Sequence, residues 1–475
     1  MESLKNQPLY LQLAHRLHAQ IMQHTWQPGE RMPSVRQLAR QHGISLGTAF
    51  QVYYYLENSG VLEARPRSGY FVRARSLPRM PLPRPSASAA TGAAVHISQP
   101  LATVLDTHAN PAPGLLPSAA MMSLALLPTA RLDKASRHVL RAGAGVGMSY
   151  EHPAGNELLR RQIAQRSPHW GGSLRAEDVV ITSGCLEAVN LCLRAVTKPG
   201  DTVAVESPTY YGLLQSLENL GVKALEIATH PQTGVDLSEL EAALDRQLVA
   251  ACLLVPTFNN PLGSCMPEVH KQQLVRLLSH REIPLVEDDI YGELYFGATR
   301  PKACKAFDQD GWVLLCSSFS KQLAPGYRVG WAALPARYRA RVEQLKFMHN
   351  LATATLPQLV ISHYLAHGRH DQYLRGLRTA LAAQVRHTAA AVEAYFPAGT
   401  RLTQPGGGFV LWAELPEPRD LFALHQQAHQ QGVGFAPGPL FSAQQRYANC
   451  LRLTCGHPWS SESERAVAKL GGLLK

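Results

Sequence analysis

The 475-residue chain is 45% hydrophobic and 17% charged, an ordinary composition for a soluble globular protein. At about 100–200 residues per domain, this length predicts two to four folding units. No apolar run approaches the roughly 18 residues that span a bilayer, and the polar N-terminus, MESLKNQPLY, has no signal-peptide core. These features argue against a membrane or secreted protein, so we expect a cytoplasmic location.

Neither the cysteines nor the histidines indicate a metal centre. The eight cysteines are scattered and form no C-x-x-C pair, which is typical of reduced core or surface thiols. The 20 histidines include no H-E-x-x-H motif or comparable spacing. We therefore predict no bound metal.

The positive charge is concentrated at the N-terminus. The net charge is +11, and residues 1–79 hold ten Lys or Arg against four Glu, a net of +6, which leaves +5 for the rest. This distribution suggests either an anionic partner for the first unit or a solvated basic surface. Charge alone does not decide between them.

Residues 1–75 have the pattern of a winged helix-turn-helix. An apolar residue at every fourth position predicts a helix over about Leu9–His24. Ser34 with Gln37 three residues later forms a capping pattern for a second helix. Gly43 ends that helix, and Ser45 caps a third. Two short helices joined by a tight turn indicate a helix-turn-helix.

Two short strand-like runs, 61–65 and 70–72, follow, with the turn Pro66-Arg67-Ser68-Gly69 between them as in a wing. The N-terminus of the third helix would enter the major groove, and basic side chains would contact phosphates or the groove. Any one of these arginines is more often a solvated surface group, but the order of the elements favours DNA binding. The predicted DNA-binding residues are Ser34, Arg36, Ser45, Thr48, Arg65 and Arg67.

Residues 8–73 resemble the GntR-family winged helix. The resemblance rests on WQPGERMPSVRQLARQHGIS and YYYLENSGVLEARPRSGYFV. Many family members have Arg directly after the serine that starts the recognition helix, and this chain has Leu46 there. Phe50 also stands where some members have a basic residue. The resemblance therefore implies the DNA-binding module and leaves its base contacts open.

Residues 76–94, SLPRMPLPRPSASAATGAA, contain four prolines, many small residues and no apolar periodicity. This composition predicts a linker that is extended in its Pro-rich half and flexible afterwards. We expect it to let the first unit move relative to the rest of the chain.

Over residues 95–475, strand-like apolar runs alternate with helical stretches, which predicts an α/β domain with a mostly parallel sheet. Polar residues follow several of these runs directly, where ligands bind in open α/β sheets. The predicted strands are Val179–Ile181, Thr202–Val205, Ala250–Val255, Pro284–Val286 and Val313–Cys316.

Several of those polar residues have the chemistry that a pyridine aldehyde cofactor needs. The strand–helix junction at residues 183–185 can bind phosphate through backbone N–H groups, and Tyr210 can stack on a flat ring. Asp288 can keep a pyridine nitrogen protonated. Lys321 can form a Schiff base with an aldehyde, and Arg328 can pair with a phosphate. Each motif is weak alone, because most such lysines are solvated.

The region from about Tyr150 to Gly456 resembles the fold-type I aminotransferases of the aspartate aminotransferase superfamily. The resemblance is carried by an ordered set of motifs: SYEHPAGNELLR, ITSGCLEA, ESPTYYG, NNPLG, EDDIYGEL, SSFSKQLAPGYRVGW, PGGGFVLW and RLTCG. It implies an α/β domain that binds pyridoxal 5′-phosphate (PLP), with a smaller C-terminal α+β subdomain over about 350–475.

The resemblance also implies roles for individual residues. Lys321 would hold PLP as a Schiff base, and Asp288, ranked above Asp289, would pair with the pyridine nitrogen. Arg452 would bind a substrate or effector α-carboxylate. The remaining implied residues are Ser183, Gly184, Cys185, Ser318 and Arg328 at the phosphate, Tyr210 on the ring face, Asn260 and Tyr291 at the ring oxygen, and Tyr150 at the phosphate of a neighbouring protomer in a homodimer.

A GntR-type head joined to an aminotransferase-like body resembles the MocR subfamily of bacterial transcriptional regulators. The resemblance implies a PLP-dependent regulator that binds a double-stranded DNA operator and senses PLP or a small amino compound. One alternative is a working aminotransferase with a DNA-binding extension, because Lys321, Asp288 and Arg452 are all retained. Another is a relic that keeps only the fold. We favour the regulator, because a metabolic enzyme has no evident use for a basic helix-turn-helix head.

Overall fold

The computed structural model describes residues 8–22, 26, 29–58, 61–65, 68–72, 80–109, 117–141 and 145–475. Contacts divide the chain into two units, Met1–Arg79 and Met80–Lys475, so the boundary falls inside the predicted linker. Each unit has hydrophobic clusters of its own.

The first unit contains the predicted helix-turn-helix and wing. Residues such as Leu13, Leu38 and Leu56 from its three helices meet in one buried cluster. The two strands of the wing pair antiparallel, with Leu62 opposite Val72. Its elements are helices α1 (Leu9–Met22), α2 (Val35–His42) and α3 (Leu46–Asn58) and strands β1 (Leu62–Arg65) and β2 (Gly69–Val72).

The helix ends are capped as the sequence indicates. The amide of Gln37 donates to Ser34 Oγ at 3.2 Å, and the amide of Ser34 donates to the Gln37 side chain at 2.9 Å. Gly43 has a φ of 62°, the left-handed conformation that ends a helix readily when no Cβ is present. Ser45 Oγ then accepts from the Thr48 amide at 3.0 Å and caps α3. These caps set the tight turn between α2 and α3.

Replacing Ser34 with Ala should destabilise α2 by about 1 kcal/mol, because the Gln37 amide loses its acceptor. Native-state hydrogen exchange of peptides that span α2 measures the change. Ser68→Ala, on the exposed wing, is the control and should leave that exchange unaltered. Equal exchange in the Ser34→Ala and wild-type proteins would show that the cap adds nothing.

The second unit is built on a sheet of nine strands among the described residues. The strands are β3 (Ala93–Ala94), β4 (Val179–Thr182), β5 (Thr202–Ser207), β6 (Lys223–His230), β7 (Gly234–Val235), β8 (Ala251–Leu254), β9 (Leu285–Asp288), β10 (Val313–Ser318) and β11 (Gly330–Ala333). The strand order is β3-β6-β5-β8-β9-β10-β11-β4, with β7 paired to β6. Strands β6, β5, β8, β9 and β10 run parallel, and β11 is antiparallel to both of its neighbours.

Helices cover both faces of this sheet. Val203 and Val205 pack into one core, whereas Ala204 between them packs into another, as the two-residue period of a strand requires. The mostly parallel α/β sheet is therefore confirmed, and its carboxyl edge carries the site. The α-helices between residues 98 and 367 are α4 (Ser98–Ala109), α5 (Thr129–Arg141), α6 (Glu157–Arg166), α7 (Cys185–Val196), α8 (Tyr211–Leu220), α9 (Leu237–Arg246), α10 (Glu268–His280), α11 (Ala336–Asn350) and α12 (Thr355–His367).

The C-terminal region adds a smaller antiparallel sheet and three helices. The elements are α13 (His370–Tyr395), β12 (Arg401–Leu402), β13 (Val410–Glu414), α14 (Leu421–Gln430), β14 (Ala436–Pro437), β15 (Cys450–Thr454) and α15 (Ser461–Leu473). The strand order is β12-β13-β15-β14, and Trp412 on β13 lies opposite Arg452 on β15. Most of the apolar side chains of this sheet join one buried cluster.

The described part of the predicted linker differs from the expectation of a flexible segment. The amide of Ala89 donates to the Glu226 carbonyl at 2.7 Å, and the Leu402 amide donates to the Pro81 carbonyl at 2.9 Å. Residues 93–94 add the short strand β3 to the main sheet. From Met80 onward the segment therefore belongs to the second unit. The small residues that suggested flexibility instead permit close packing along the edge of the sheet.

His370 gives the second unit a pH-dependent stability. Its side chain is 3% exposed between the rings of Tyr364 and Tyr373, and burial lowers its pKa to about 4. In the unfolded chain the same histidine has a pKa near 6.5. Between pH 6.5 and 4 the unfolded chain therefore binds a proton at His370 that the folded chain does not bind. The stabilisation is present above about pH 6.5 and is lost as the pH falls through 4.

His370→Phe should remove most of this dependence, which amounts to about 3 kcal/mol or less. Urea unfolding at several pH values between 7 and 4 provides the measurement. The exposed His280 offers a control, because His280→Phe should keep the wild-type slope. A His370→Phe protein that loses stability with acid as steeply as wild type would contradict the assignment.

Candidate functional site

A cavity of about 270 Å³ opens at the carboxyl edge of the main sheet. It brings together residues that are far apart in sequence, because the parallel strands end at the same edge. Those of the predicted residues that line it are Cys185, Tyr210, Asn260, Asp288, Tyr291, Lys321 and Arg328.

Asp288 ends β9 at the floor of the cavity and is 6% exposed. Its Oδ1 accepts from the Ile290 amide at 3.0 Å and from the Cys185 thiol at 3.3 Å. Burial raises the pKa of Asp288 to about 6, and the nearby Lys321 opposes that rise. A cationic ring nitrogen beside Asp288 would favour the carboxylate form.

Asp289 faces a different environment and does not line the cavity. Its carboxylate is ion-paired with Arg300, which also pairs with Glu293 at 3.3 Å. Asp289 is 3% exposed, so its charge is balanced by this buried arginine. The geometry therefore favours Asp288 as the residue facing a cofactor ring.

Lys321 follows β10 and directs its amine into the cavity, where Nζ donates to the Ala120 carbonyl at 2.6 Å. Burial lowers the pKa of Lys321 to about 8; Arg452 and Arg328 add to this effect, and Asp288 opposes it. An amine with a lowered pKa has a larger neutral fraction near pH 7, and only the neutral amine is nucleophilic.

Gly184 and Arg328 lie together at the start of α7. Gly184 has a φ of 91° and stands at the N-terminus of α7. The Arg328 guanidinium donates to the Ser183 carbonyl at 3.1 Å and to Ser320 Oγ at 3.3 Å. A side chain at position 184 would collide with that guanidinium. A helix N-terminus beside an arginine is a common anion-binding arrangement.

Ser318 is not placed where the resemblance implied. It is fully buried, its Oγ donates to the Val329 carbonyl at 3.0 Å, and it bonds Ser320 Oγ at 2.8 Å. Ser320 lines the cavity instead. The turn after β10 decides which of the two serines faces inward, and no residue pattern indicated Ser320. Ser318 therefore bonds a residue of the cavity wall without lining the cavity itself.

Arg452 lies behind the cavity wall and is fully buried. Its guanidinium donates to Asn260 Oδ1 at 3.4 Å and to the Ser118 carbonyl. Its Nε finds no hydrogen-bond partner among the described residues. A buried arginine with an unused N–H group can donate to the oxygens of an added carboxylate.

A segment from residue 117 to 122 also contributes to the site. Ala119, Ala120 and Met121 line the cavity, and the carbonyls of Ser118 and Ala120 bond Arg452 and Lys321. This segment carries no polar motif, so nothing in its residue types pointed to the site. Other lining residues that were not predicted are Leu186, Tyr211, Val255 and Ile290.

Tyr150 is 85% exposed and does not line this cavity. Its neighbour Met148 is 88% exposed. Among the described residues, no group of His, Cys, Asp or Glu side chains could hold a metal ion. None of the described helices is both long and apolar enough to cross a membrane.

In the first unit, Ser34, Arg36 and Ser45 are exposed at the starts of α2 and α3, and Thr48 is half-buried. Arg65 is exposed but engaged, since it pairs with Glu63 at 2.6 Å and its guanidinium lies 4.3 Å from the Phe71 ring centroid. Arg67 lies outside the described residues.

The residues of the cavity fit PLP. Gly184 leaves open a phosphate cradle that a side chain would fill, Lys321 supplies a buried amine, and Asp288 supplies a buried carboxylate. Burial raises the pKa of the Tyr291 hydroxyl, which keeps it a hydrogen-bond donor near neutral pH. This donor set suits an anionic, aldehyde-bearing pyridine.

Comparison with known families agrees with both units. Residues 127–470 match the aminotransferase class I and II family, and residues 9–72 match the gntR family of bacterial regulatory proteins. The chain belongs to the GntR-type regulators that carry an aminotransferase-like body. This arrangement confirms the resemblance to the MocR subfamily, and the first unit is a DNA-binding module of the GntR type.

Relatives share this arrangement over nearly their whole length. The HTH-type transcriptional regulator YdcR of Escherichia coli is 38% identical over 98% of this chain and 99% of its own. YjiR, another HTH-type transcriptional regulator of that bacterium, is 37% identical over 97% of this chain and 98% of its own.

Among solved structures, the aminotransferase-like body of this GntR-type regulator is similar to the α-aminoadipate aminotransferase LysN of Thermus thermophilus. It is 28% identical, with a TM-score of 0.73 over 78% of this chain and 94% of LysN. That LysN structure is a complex with N-(5′-phosphopyridoxyl)-L-leucine. The body therefore has the fold of PLP-dependent aminotransferases.

Proposed function

We propose that this regulator binds PLP at Lys321 and changes its affinity for a DNA operator when PLP or an amino compound occupies the body. The observation that carries the proposal is the pair of bonds from Arg452 and Lys321 to the carbonyls of Ser118 and Ala120. The two main-chain carbonyls belong to one segment, and they accept hydrogen bonds from the guanidinium and the amine that a ligand would need.

PLP supplies an aldehyde and an electron-accepting ring when bound. Lys321 would hold its aldehyde carbon, Asp288 would face its ring nitrogen, and Arg328 with the start of α7 would hold its phosphate. The proposed contacts at the remaining edges are Tyr210 on the ring face, Asn260 and Tyr291 at the ring oxygen, and Ser183, Gly184, Cys185 and Ser320 around the phosphate, with Ser318 behind them.

An amino acid effector would act through Arg452. Its carboxylate is a stronger acceptor than the Ser118 carbonyl, so it displaces that carbonyl from the guanidinium. PLP would act on the other contact, because a Lys321 amine that held the aldehyde carbon would no longer donate to the Ala120 carbonyl as the free amine does. Both events free residues 118–120, which gives the body two states with different contacts, as a ligand-driven switch requires.

We also propose a homodimer with shared sites. Met148 and Tyr150 are large side chains that are 88% and 85% exposed within three positions of each other. A second copy that covered them would bring Tyr150 to its phosphate site, as the family resemblance implies. A regulator of bacterial transcription acts in the cytoplasm, where the chromosome lies.

The test measures the affinity of the purified full-length protein for an operator duplex obtained by selection. PLP, and then amino acids added to the PLP-loaded protein, should shift this affinity. Arg452→Lys, which loses the two-pronged guanidinium, should keep the response to PLP and lose the response to amino acids. Arg419→Lys is the matched control, because Arg419 is an exposed arginine that donates to the Lys475 carbonyl outside the cavity. An affinity that ignores both PLP and amino acids rules out the sensing proposal.

A second candidate is a working aminotransferase that carries a DNA-binding extension. It is favoured because the chain retains Lys321, Asp288 and Arg452, the groups that transamination needs. Steady-state turnover of amino acids with a keto acid acceptor distinguishes the two. Rates of about 1 per second or more, typical of enzymes, would favour the enzyme, and much lower rates favour the regulator.

A further inference from the structure

Helix α3 exposes three large apolar side chains on one face. Leu46, Phe50 and Tyr54 are 56%, 53% and 56% exposed and recur at every fourth position. Four residues of an α-helix advance about 40° beyond a full turn, so the three side chains form one stripe. Val52 and Leu56 of the same helix pack into the core of the unit. The stripe is therefore not needed to hold the fold together.

The helix before α3 and the N-terminus of α3 carry basic and polar residues. Arg36 and Arg40 are exposed one turn apart on α2, the helix that precedes α3. Ser45 caps α3, and the exposed Gly47 adds no side chain beside Leu46. The first 79 residues carry a net charge of +6. A partner that fits must therefore present negative charge and apolar groups together.

The major groove of DNA meets both requirements. Its phosphates pair with arginines, and thymine presents a 5-methyl group at the groove floor. Apolar side chains such as those of Leu46 and Phe50 cannot hydrogen-bond to base edges, but they can bury that methyl. The N-terminal half of a recognition helix is the part that reaches base edges.

We propose that Leu46 and Phe50 recognise the 5-methyl groups of thymines in the operator. The proposal rests on the proposed function, because it requires the first unit to bind an operator. Four residues of helix rise about 6 Å, and base pairs are stacked about 3.4 Å apart. The two contacted thymines therefore lie about two base pairs apart.

The test starts from a duplex selected out of a random library by the full-length, PLP-loaded protein. Each thymidine is then replaced by deoxyuridine, which lacks only the methyl and keeps the same hydrogen-bonding edge. At fixed salt, wild type should lose about fourfold in affinity at each contacted position. Phe50→Ala and Leu46→Ala should each abolish that loss at one of the positions.

Leu9→Ala is the matched control, since Leu9 is 58% exposed on α1 of the same unit. This variant should respond to deoxyuridine as wild type does. If wild type binds the selected duplex and all its deoxyuridine versions equally, thymine recognition is wrong although DNA binding stands. If no duplex is selected, the operator-binding function itself fails. If Phe50→Ala instead changes the oligomeric state and deoxyuridine has no effect, the stripe is a protein contact and the proposal is overturned.

Discussion

A Lys321→Ala protein should retain no PLP after borohydride reduction, and its affinity for DNA should no longer respond to PLP. Lys321 is the lysine that lines the described cavity, and burial lowers its pKa to about 8, so it is the amine prepared for covalent attachment. Intact-protein mass spectrometry after reduction measures the attachment, and the duplex-binding assay measures the response.

The control for this variant is Lys198→Ala, an exposed lysine outside the cavity. It should gain the mass of one reduced PLP and respond as wild type does. PLP bound to Lys321→Ala without covalent attachment would show that the remaining site holds the cofactor by its phosphate. A PLP-dependent change in DNA affinity in that variant would refute the role of Lys321 in the response.

Arg300→Met should destabilise the second unit by about 3–5 kcal/mol, because it leaves Asp289 as a buried charge without a partner. The Arg300 and Asp289 side chains are 6% and 3% exposed. Arg161→Met is the matched control, since its pair with Glu157 is 57% and 69% exposed and contributes less than about 1 kcal/mol. Urea unfolding of the three proteins gives the comparison.

The double variant Arg300→Met/Asp289→Asn separates charge from packing. If an unpaired carboxylate causes the loss, removing that charge should restore most of the stability. A double variant that is as unstable as Arg300→Met would show that the guanidinium mainly fills space. Asp289 is adjacent to Asp288, so the Arg300→Met protein is also expected to bind PLP less tightly.

The two sets of contacts around the cavity suggest how a small ligand could affect a large protein. The segment from residue 117 to 122 bonds Arg452 in the C-terminal sheet and Lys321 after β10 of the main sheet. A ligand that replaces both bonds alters the same few residues from two sides. We therefore expect residues 118–120 to differ in conformation between the ligand-free and the ligand-bound protein.

The sequence by itself determined the division into a winged helix and an α/β body, and most of the polar residues that line the cavity. It could do so because helix caps, such as Ser34 with Gln37, are local, and because polar residues at the ends of parallel strands converge at one edge. Asp288 and Lys321 both follow predicted parallel strands, so the sequence placed them at the same edge of the sheet.

The tertiary structure decided what depends on side-chain direction and on contacts between distant segments. It placed Ser320 rather than Ser318 on the cavity wall and joined Asp289 to Arg300. It brought residues 118–120 over the site and attached residues 80–94 to the body. The contacts of residues 118–120 and 80–94 use main-chain carbonyls and amides, which every residue carries, so residue types could not reveal them. The Asp289–Arg300 pair and the inward position of Ser320 depend on side-chain direction, which residue types do not determine either.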